Sequence, residues 1–242
     1  MADWAGLPHD LLVLIAKRVK LIEDFIALSV VCTSWQTASP KDNLDVLSPQ
    51  LPLLMLADKD DDYREFYSLS KGKVSQILCL PEARGRACFP SETWLVTMAW
   101  DGDGELNLLH PFSRTQIQLP SQKALWDLQP GIVKVYEGYH NISKAVLSAN
   151  PSLTSDYVLV ISYNTNVNHL AFWRPRDLNW NKFDVVDTLG GVSNMIYYKG
   201  QFVFVTWPGE VCILDVPGPN TPEPTVKSRM QRRMEHYNLG FN

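Results

Sequence analysis

The 242-residue sequence predicts an α+β chain: a small helical module at the N-terminus, then an all-β, propeller-like repeat domain that is either an incomplete ring or a shortened variant. Three observations carry this. Apolar residues recur at helical spacing as far as Trp35 and stop before Pro40. Beyond Pro40 the pattern changes to short alternating runs separated by aspartate-glycine and proline-glycine turns. Those runs recur, with centres at Leu54, Val96, Val158 and Val203 standing 42, 62 and 45 residues apart, two of the three intervals in the range of a four-stranded propeller blade.

In the first stretch, Leu7-Pro8 starts a helix, since proline is tolerated in a first turn and Asp10 suits the positive end of the helix dipole. Leu11, Leu12, Ile15 and Val19 share a face, which Val13 and Leu14 widen. Lys17, Arg18 and Lys20 supply charge for the C-terminal end. A second helical pattern opens at Glu23-Asp24, uses Phe25, Leu28, Val31 and Cys32 as its apolar side, and reaches Trp35. Two short helices cannot bury both apolar faces against each other, so the remainder meets either the body of its own chain or another protein. In the β region, residues 51–56 and 65–69 read as strands around an acidic turn at 58–62. Residues 94–100 and 105–109 pair across the turn 101–104. Residues 157–163 and 169–173 pair across an asparagine-rich turn, and 202–207 pairs with 211–216 across Pro208-Gly209. The 62-residue interval leaves a long loop at 122–131. A hairpin is too small to stand alone in water, so the repeats must stack; one irregular β-sandwich is the alternative. Four proline-punctuated steps at 217–224 interrupt strand formation. The resulting boundaries are 1–43 for the helical module, 50–216 for the β domain and 217–242 for a poorly ordered tail, proline-rich and then basic.

Composition narrows the function classes. Hydrophobic residues at 45%, charged residues at 20% and a net charge of −4 describe an ordinary globular chain and give no support for a nucleic-acid surface. No apolar run reaches the 18 or so residues of a membrane span, and no signal-peptide pattern opens the chain, which predicts an intracellular protein of nucleus, cytoplasm or both with no membrane partner. Cys32, Cys79, Cys88 and Cys212 are scattered, as reduced thiols are. Asp101-x-Asp103-x-Glu105 and Asp58-x-Asp60-x-Asp62 begin like calcium loops, but Leu106 and Tyr63 stand where glycine is required, so both read as solvated turns and no metal or cofactor is expected. No nucleophile elbow, phosphate loop or zinc motif is present, and no catalytic residue is assigned. His110 before Pro111 suggests a turn contact. The basic cluster 229–233 reads as a solvated, partly frayed helix. Trp126 in the long loop and Trp207 beside Pro208-Gly209 are candidates for a recognition rim, because tryptophans near turns can anchor a partner.

Trp4, Leu7-Pro8, Asp10-Leu11-Leu12, Ile15, Asp24, Leu28, Val31-Cys32 and Trp35 together resemble an F-box, the module of about 40 residues that docks on the Skp-type adaptor of cullin–RING ubiquitin ligases. The blocks Ser91-Glu92-Thr93-Trp94-Leu95, His110-Pro111-Phe112-Ser113-Arg114 with Leu119-Pro120, Lys144-Ala145-Val146-Leu147-Ser148, Ala171-Phe172-Trp173-Arg174-Pro175 and Tyr197-Tyr198-Lys199-Gly200-Gln201-Phe202 resemble the plant F-box family of KIB type, which carries a kelch-like β-propeller. The resemblance implies a non-catalytic substrate receptor of an SCF-type ligase. Leu7, Pro8, Leu11, Leu12, Ile15, Val19, Val31 and Trp35 would meet the adaptor, and through it the cullin–RING scaffold. The β domain would bind an unidentified target protein. The family's propeller continues beyond the tyrosine-lysine-glycine block, whereas here proline follows soon after. That departure implies a shortened ring and leaves a second role open, that of a non-degradative competitor which occupies the adaptor without presenting substrate.

Overall fold

Each sheet of this chain is built from strands that follow one another directly in sequence, so its contacts are mostly those of hairpins and successive blades. The computed structural model describes residues 4, 6–39, 52–57, 62–100, 104–127, 142–164, 168–183, 191–207, 209–216 and 225–230. They fall into two compact units, residues 1–84 and 85–242.

The first unit opens with three short helices, α1 (His9–Ala16), α2 (Ile22–Ser29) and α3 (Thr33–Ala38). Pro8 caps α1, and its carbonyl accepts the N–H groups of Leu11 and Leu12 at 3.0 and 3.2 Å. The second helical pattern, expected to run unbroken to Trp35, is two helices. Cys32 is extended at φ −164° and ψ 174°. The run Val30-Val31 explains the break, since β-branched side chains lose rotamer freedom against the preceding helical turn. Leu12, Trp35 and Ala38 form the buried centre of the bundle, with Leu7, Val13, Ile15, Leu28 and Cys32 packed around them. A three-stranded antiparallel sheet follows, β1 (Leu53–Met55), β2 (Arg64–Ser68) and β3 (Lys73–Leu80), in that spatial order. Most of the acidic turn between β1 and β2 lies outside the described residues.

Polar contacts tie this sheet to the helices. Glu23 of α2 is 3% exposed and accepts a hydrogen bond from the Ser68 hydroxyl, which also meets Ser70 Oγ at 2.9 Å. Beside it, Lys71 Nζ lies 2.6 Å from Asp24 Oδ1. The expected division between residues 43 and 50 therefore falls inside one compact unit, which runs on to Arg84.

Among the described residues, the second unit contains three four-stranded antiparallel meanders. The first holds β4 (Arg86–Ser91), β5 (Trp94–Ala99), β6 (Leu106–Leu109) and β7 (Gln116–Gln118), followed by a helix, α4 (Gln122–Asp127). The next holds β8 (Ile142–Leu147), β9 (Leu159–Asn164), β10 (Asn168–Trp173) and β11 (Asn181–Lys182). The last holds β12 (Val192–Tyr198), β13 (Gln201–Thr206), β14 (Val211–Asp215) and β15 (Thr225–Met230). The middle meander is buried on both faces. Leu159, Ile161 and Tyr163 of β9 join a core shared with Trp94, Val96, Leu106 and Leu108, while Val160 points into another shared with Met195, Phe202, Phe204 and Leu214. That alternation is the pleat of a strand sandwiched between two neighbours. The first strands of successive meanders, β4, β8 and β12, contact one another in turn. This is the stacking of propeller blades, not one irregular sandwich, and the domain is propeller-like.

Two expectations are corrected. The long loop at 122–131 begins as α4, and its remainder lies outside the described residues. The tail said to start at 217 contains β15, which pairs with β14 through Leu214↔Val226 and Ile213↔Lys227, so Arg229 sits in a strand. Proline forbids a ladder hydrogen bond only where it stands, and Thr225 to Met230 carries none.

The Glu23–Ser68 contact yields a test. Ser68→Ala should leave the buried carboxylate short of a donor and lower stability by about 1–3 kcal/mol, read as a lower urea midpoint at unchanged slope. Lys71→Ala, which removes a partly exposed ion pair, should cost less than about 1 kcal/mol.

Candidate functional site: an apolar groove on the first helix

Helix α1 presents two apolar stripes. Leu12 and Ala16, four residues apart, turn inward and are 1% and 0% exposed. Leu11 and Leu14, three residues apart, lie along the other side at 47% and 56% exposure, with Leu7 just ahead of the helix beside them. With Trp4, Ile15 and Arg18, that outer stripe lines a groove of about 320 Å³.

The groove has a built wall. Trp35 is buried, and its indole Nε1–H donates to the carbonyl oxygen of Trp4 at 3.0 Å. This bond fixes a residue 31 positions away in the chain, and Trp4 stands 62% exposed at the groove's edge. A second exposed apolar patch, Val30 and Val31, occupies the corner between α2 and α3 at 71% and 61% exposure.

The residues expected to meet an adaptor therefore divide. Leu11 and Val31 are exposed, as is Pro8 at the cap of α1. Leu7 and Ile15 are half-buried and serve both the groove and the bundle core. Val19 is half-buried just beyond the helix. Leu12 and Trp35 are corrected: both lie inside the bundle, Leu12 because a helix of 3.6 residues per turn puts 12 and 16 opposite 11 and 14, and Trp35 because α3 packs on that inner stripe. They hold the surface in place and do not form it. Trp4, Leu14 and Val30 are outward residues that the sequence reading left out of the set. The heptad Leu7–Leu11–Leu14 was the available signal.

In the second unit, Trp207 is 75% exposed, and its backbone N–H donates to Gly191 at 2.8 Å. A Cβ on residue 191 would lie 2.3 Å from the Trp207 ring, so the glycine is what lets the ring lie there. Trp126 is in α4, and its side chain lies outside the described residues. His110 Nδ1 accepts the Ser113 N–H at 3.1 Å inside a turn, with its ring edge-on to Trp94 and Phe112. Glu105 accepts hydrogen bonds from Asn107 at 3.0 Å and Arg86 at 3.3 Å, which hold its carboxyl below the usual range; both partners are strand residues of the same sheet. Residues 101–103 of the first calcium-like segment and 58–61 of the second lie outside the described residues, and Asp62 pairs with Arg84 at 2.6 Å. Among the described residues no group of three or more His, Cys, Asp or Glu could hold a metal ion, and no helix is long and apolar enough to cross a membrane.

Comparison with known proteins places both units. Residues 4–47 match the F-box domain, and residues 66–239 match the KIB1-4 beta-propeller. The second match reaches to residue 239, so nearly all of the tail, expected from the sequence to be poorly ordered, falls within it. Among curated relatives in Arabidopsis thaliana, the probable F-box protein At4g22060 is 25% identical over 88% of this chain and 56% of its own length. The putative F-box protein At4g22660 is 27% identical over 86% of this chain and 58% of its own. F-box protein SKIP23 is 32% identical over 50% of this chain and 30% of its own. The chain thus spans a little over half the length of the first two relatives.

The two stripes of α1 should behave differently on truncation. Leu12→Ala should destabilise the first unit by about 2–5 kcal/mol, whereas the exposed Leu14→Ala should stay within about 0.5 kcal/mol of the parent. Trp35→Phe keeps most of the packing and loses the bond to Trp4, which should cost about 0.5–1.5 kcal/mol. Chemical denaturation of the three variants measures the order.

Proposed function

This chain belongs to the F-box proteins that carry a KIB1-4 beta-propeller, and from that premise we propose that it is the substrate-recognition subunit of an SCF-type ubiquitin ligase. The observation that supports this reading is the groove along Leu7, Leu11 and Leu14, an outward apolar face on a helix whose inner face is already satisfied. Such a face on a small bundle calls for a partner that covers it. That partner is a Skp-type adaptor, with Trp4, Pro8, Ile15, Val19, Val30 and Val31 completing the contact, and through it the cullin–RING scaffold. Well-buried anchors of this kind contribute on the order of 2 kcal/mol each when truncated.

The stacked sheets hold a target protein, with Trp207 and Trp126 as rim candidates. The chain performs no bond chemistry. It raises the local concentration of the target's lysines at the ubiquitin-charged enzyme, and proximity supplies the rate. The protein works inside the cell, in nucleus, cytoplasm or both, in keeping with four free cysteines. Neither nucleic acid nor membrane enters this scheme.

Affinity capture tests the reading. The double variant Leu11→Asp/Leu14→Asp alters exposed positions only. It should fold as the parent does and lose adaptor and cullin together, with ubiquitylation of any co-captured protein. Adaptor that persists in the folded variant would show that the groove is not its seat.

A further inference from the structure

The third and fourth sheets of the chain, both in the second unit, enclose between them a cleft of about 770 Å³ that no part of the reading above uses. Its walls come from three places at one end of the stack. They are the β8–β9 connection with Asp156 and Tyr157, the β12–β13 hairpin with Tyr197, Gln201 and Phe202, and the paired strands β14 and β15 with Asp215 and Lys227. Trp207, in the β13–β14 turn, belongs to the opposite end, where it meets Gly191 ahead of β12. The cleft and the tryptophan rim are therefore different surfaces of the same unit.

The chemistry of the walls is specific. Tyr157 is 4% exposed and lines the cleft. Burial pushes this phenol up from its ordinary value, so it remains neutral and can both donate and accept. Tyr197 packs its ring on Phe202 with centroids 4.8 Å apart, giving the opposite wall an aromatic face. Asp215 is paired with Lys227 at 2.5 Å, whereas the Asp156 carboxylate, exposed at the mouth, has no cation beside it among the described residues. Charged lining residues are thus two carboxylates against one ammonium. Lys199, at the tip of the neighbouring hairpin, lies over the Tyr198 ring at 5.2 Å and does not line the cleft.

We propose that this inter-sheet cleft binds a lysine- or arginine-bearing extended segment of a partner protein, the cationic head between Asp156 and the ring of Tyr197. A carboxylate and a tyrosine ring around a half-dry space suit a cation. The Gln201 amide and the Tyr157 hydroxyl, each donor and acceptor, suit the alternating groups of an extended backbone. The cleft deepens the receptor reading by giving the target a chemistry, and it rests on that reading only for the statement that the segment belongs to a ubiquitylated protein.

The probes are two pools of otherwise degenerate, fluorescent hexapeptides, one with Lys or Arg fixed at the third position and one with Glu there, tested against the full chain. The basic pool should be retained at least about tenfold better, one decade of affinity. Asp156→Lys, a substitution at an exposed position, should abolish that preference. Tyr157→Phe should weaken retention with the fold intact by circular dichroism. Lys227→Ala, which frees Asp215, should strengthen it, a gain that a merely structural role would not produce. Trp207→Ala, at the other end, should change nothing. Equal retention of the two pools, retention of neither, or indifference to Asp156→Lys overturns the proposal. Adaptor capture run on the same preparations separates the readings. Its loss with basic-pool binding kept would defeat the ligase assignment and leave the cleft, and the reverse would defeat the cleft alone.

Discussion

Helix α1 carries more apolar surface than its own bundle can cover, and the functional reading starts from that imbalance. A helix of eight residues has room for one buried stripe against α3, and Leu12 with Ala16 fills it. Leu11 and Leu14 are left on the far side with nothing of the bundle over them. A globular surface tolerates single exposed leucines without explanation. A row of them beside an exposed tryptophan, whose backbone is held by a buried indole, is a different matter: the structure spends a hydrogen bond on shaping a surface that does nothing for the bundle itself. The stability of the helices and the use of the groove are thereby separable, since different side chains carry them.

The second unit meets the same problem with the opposite outcome. A four-stranded meander has two faces, and the middle one of this unit covers both, through Ile161 on one side and Val160 on the other. Beside the shared apolar cores, polar cross-links join neighbouring sheets. Ser91 Oγ accepts the Leu147 N–H at 2.7 Å, Trp94 Nε1–H donates to Asn150 at 3.0 Å, and Trp180 Nε1–H donates to the Pro120 carbonyl at 3.0 Å. Each joins a strand end or turn of one sheet to the next. With Trp173, whose indole N–H donates to the Asp177 carbonyl at 2.9 Å, three of the six tryptophans of the β region work as buried packing residues with a hydrogen-bonding tip, the commoner use of the residue in strands. Trp207 is left as an outward one.

Much of this was legible in the sequence. The α+β order, the switch of periodicity after the helices and the strand pairs at 94–109, 157–173 and 202–216 all follow from alternation and turn chemistry, and the sheets contain them. What could not be read has particular causes. β12, from Val192 to Tyr198, puts Ser193 and Asn194 beside a register shift, which breaks the alternation that announces a strand. β4 contains Pro90, which argues against a strand unless it runs along an edge, as β4 does in its sheet. β15 was hidden behind prolines that precede it. On α1, the residues 11, 12 and 15 share an arc wide enough to read as one face, and only packing against Trp35 separates 12 from 11. Buried Glu23 gave no signal at all, because an acid near a helix start reads equally well as a dipole partner.

The turns at the cleft's end of the second unit explain why that end is suited to recognition. All three non-glycine residues with positive φ among those described, Glu92, Arg114 and Lys199, lie in turns that follow an upward strand, β4–β5, β6–β7 and β12–β13. A side chain in the left-handed region costs on the order of 1 kcal/mol or more, and none of these three is the asparagine or glycine that relieves it. Turns held in that conformation are short and fixed by the strands on either side, so the groups they carry keep their places. Tyr197 and Gln201 flank one such turn, Lys199-Gly200, where both residues have positive φ as a type I′ hairpin requires. A rigid hairpin that projects an aromatic wall loses little conformational entropy when a ligand meets it, and affinity is gained by exactly that economy of ordering. At the other end, Trp207 depends on a single glycine for its place, an arrangement that fixes one ring and leaves its surroundings open. The two ends of one stack are therefore unequal: one presents a walled space with defined charge, the other a lone exposed ring, and the walled space has the greater capacity to tell one partner from another.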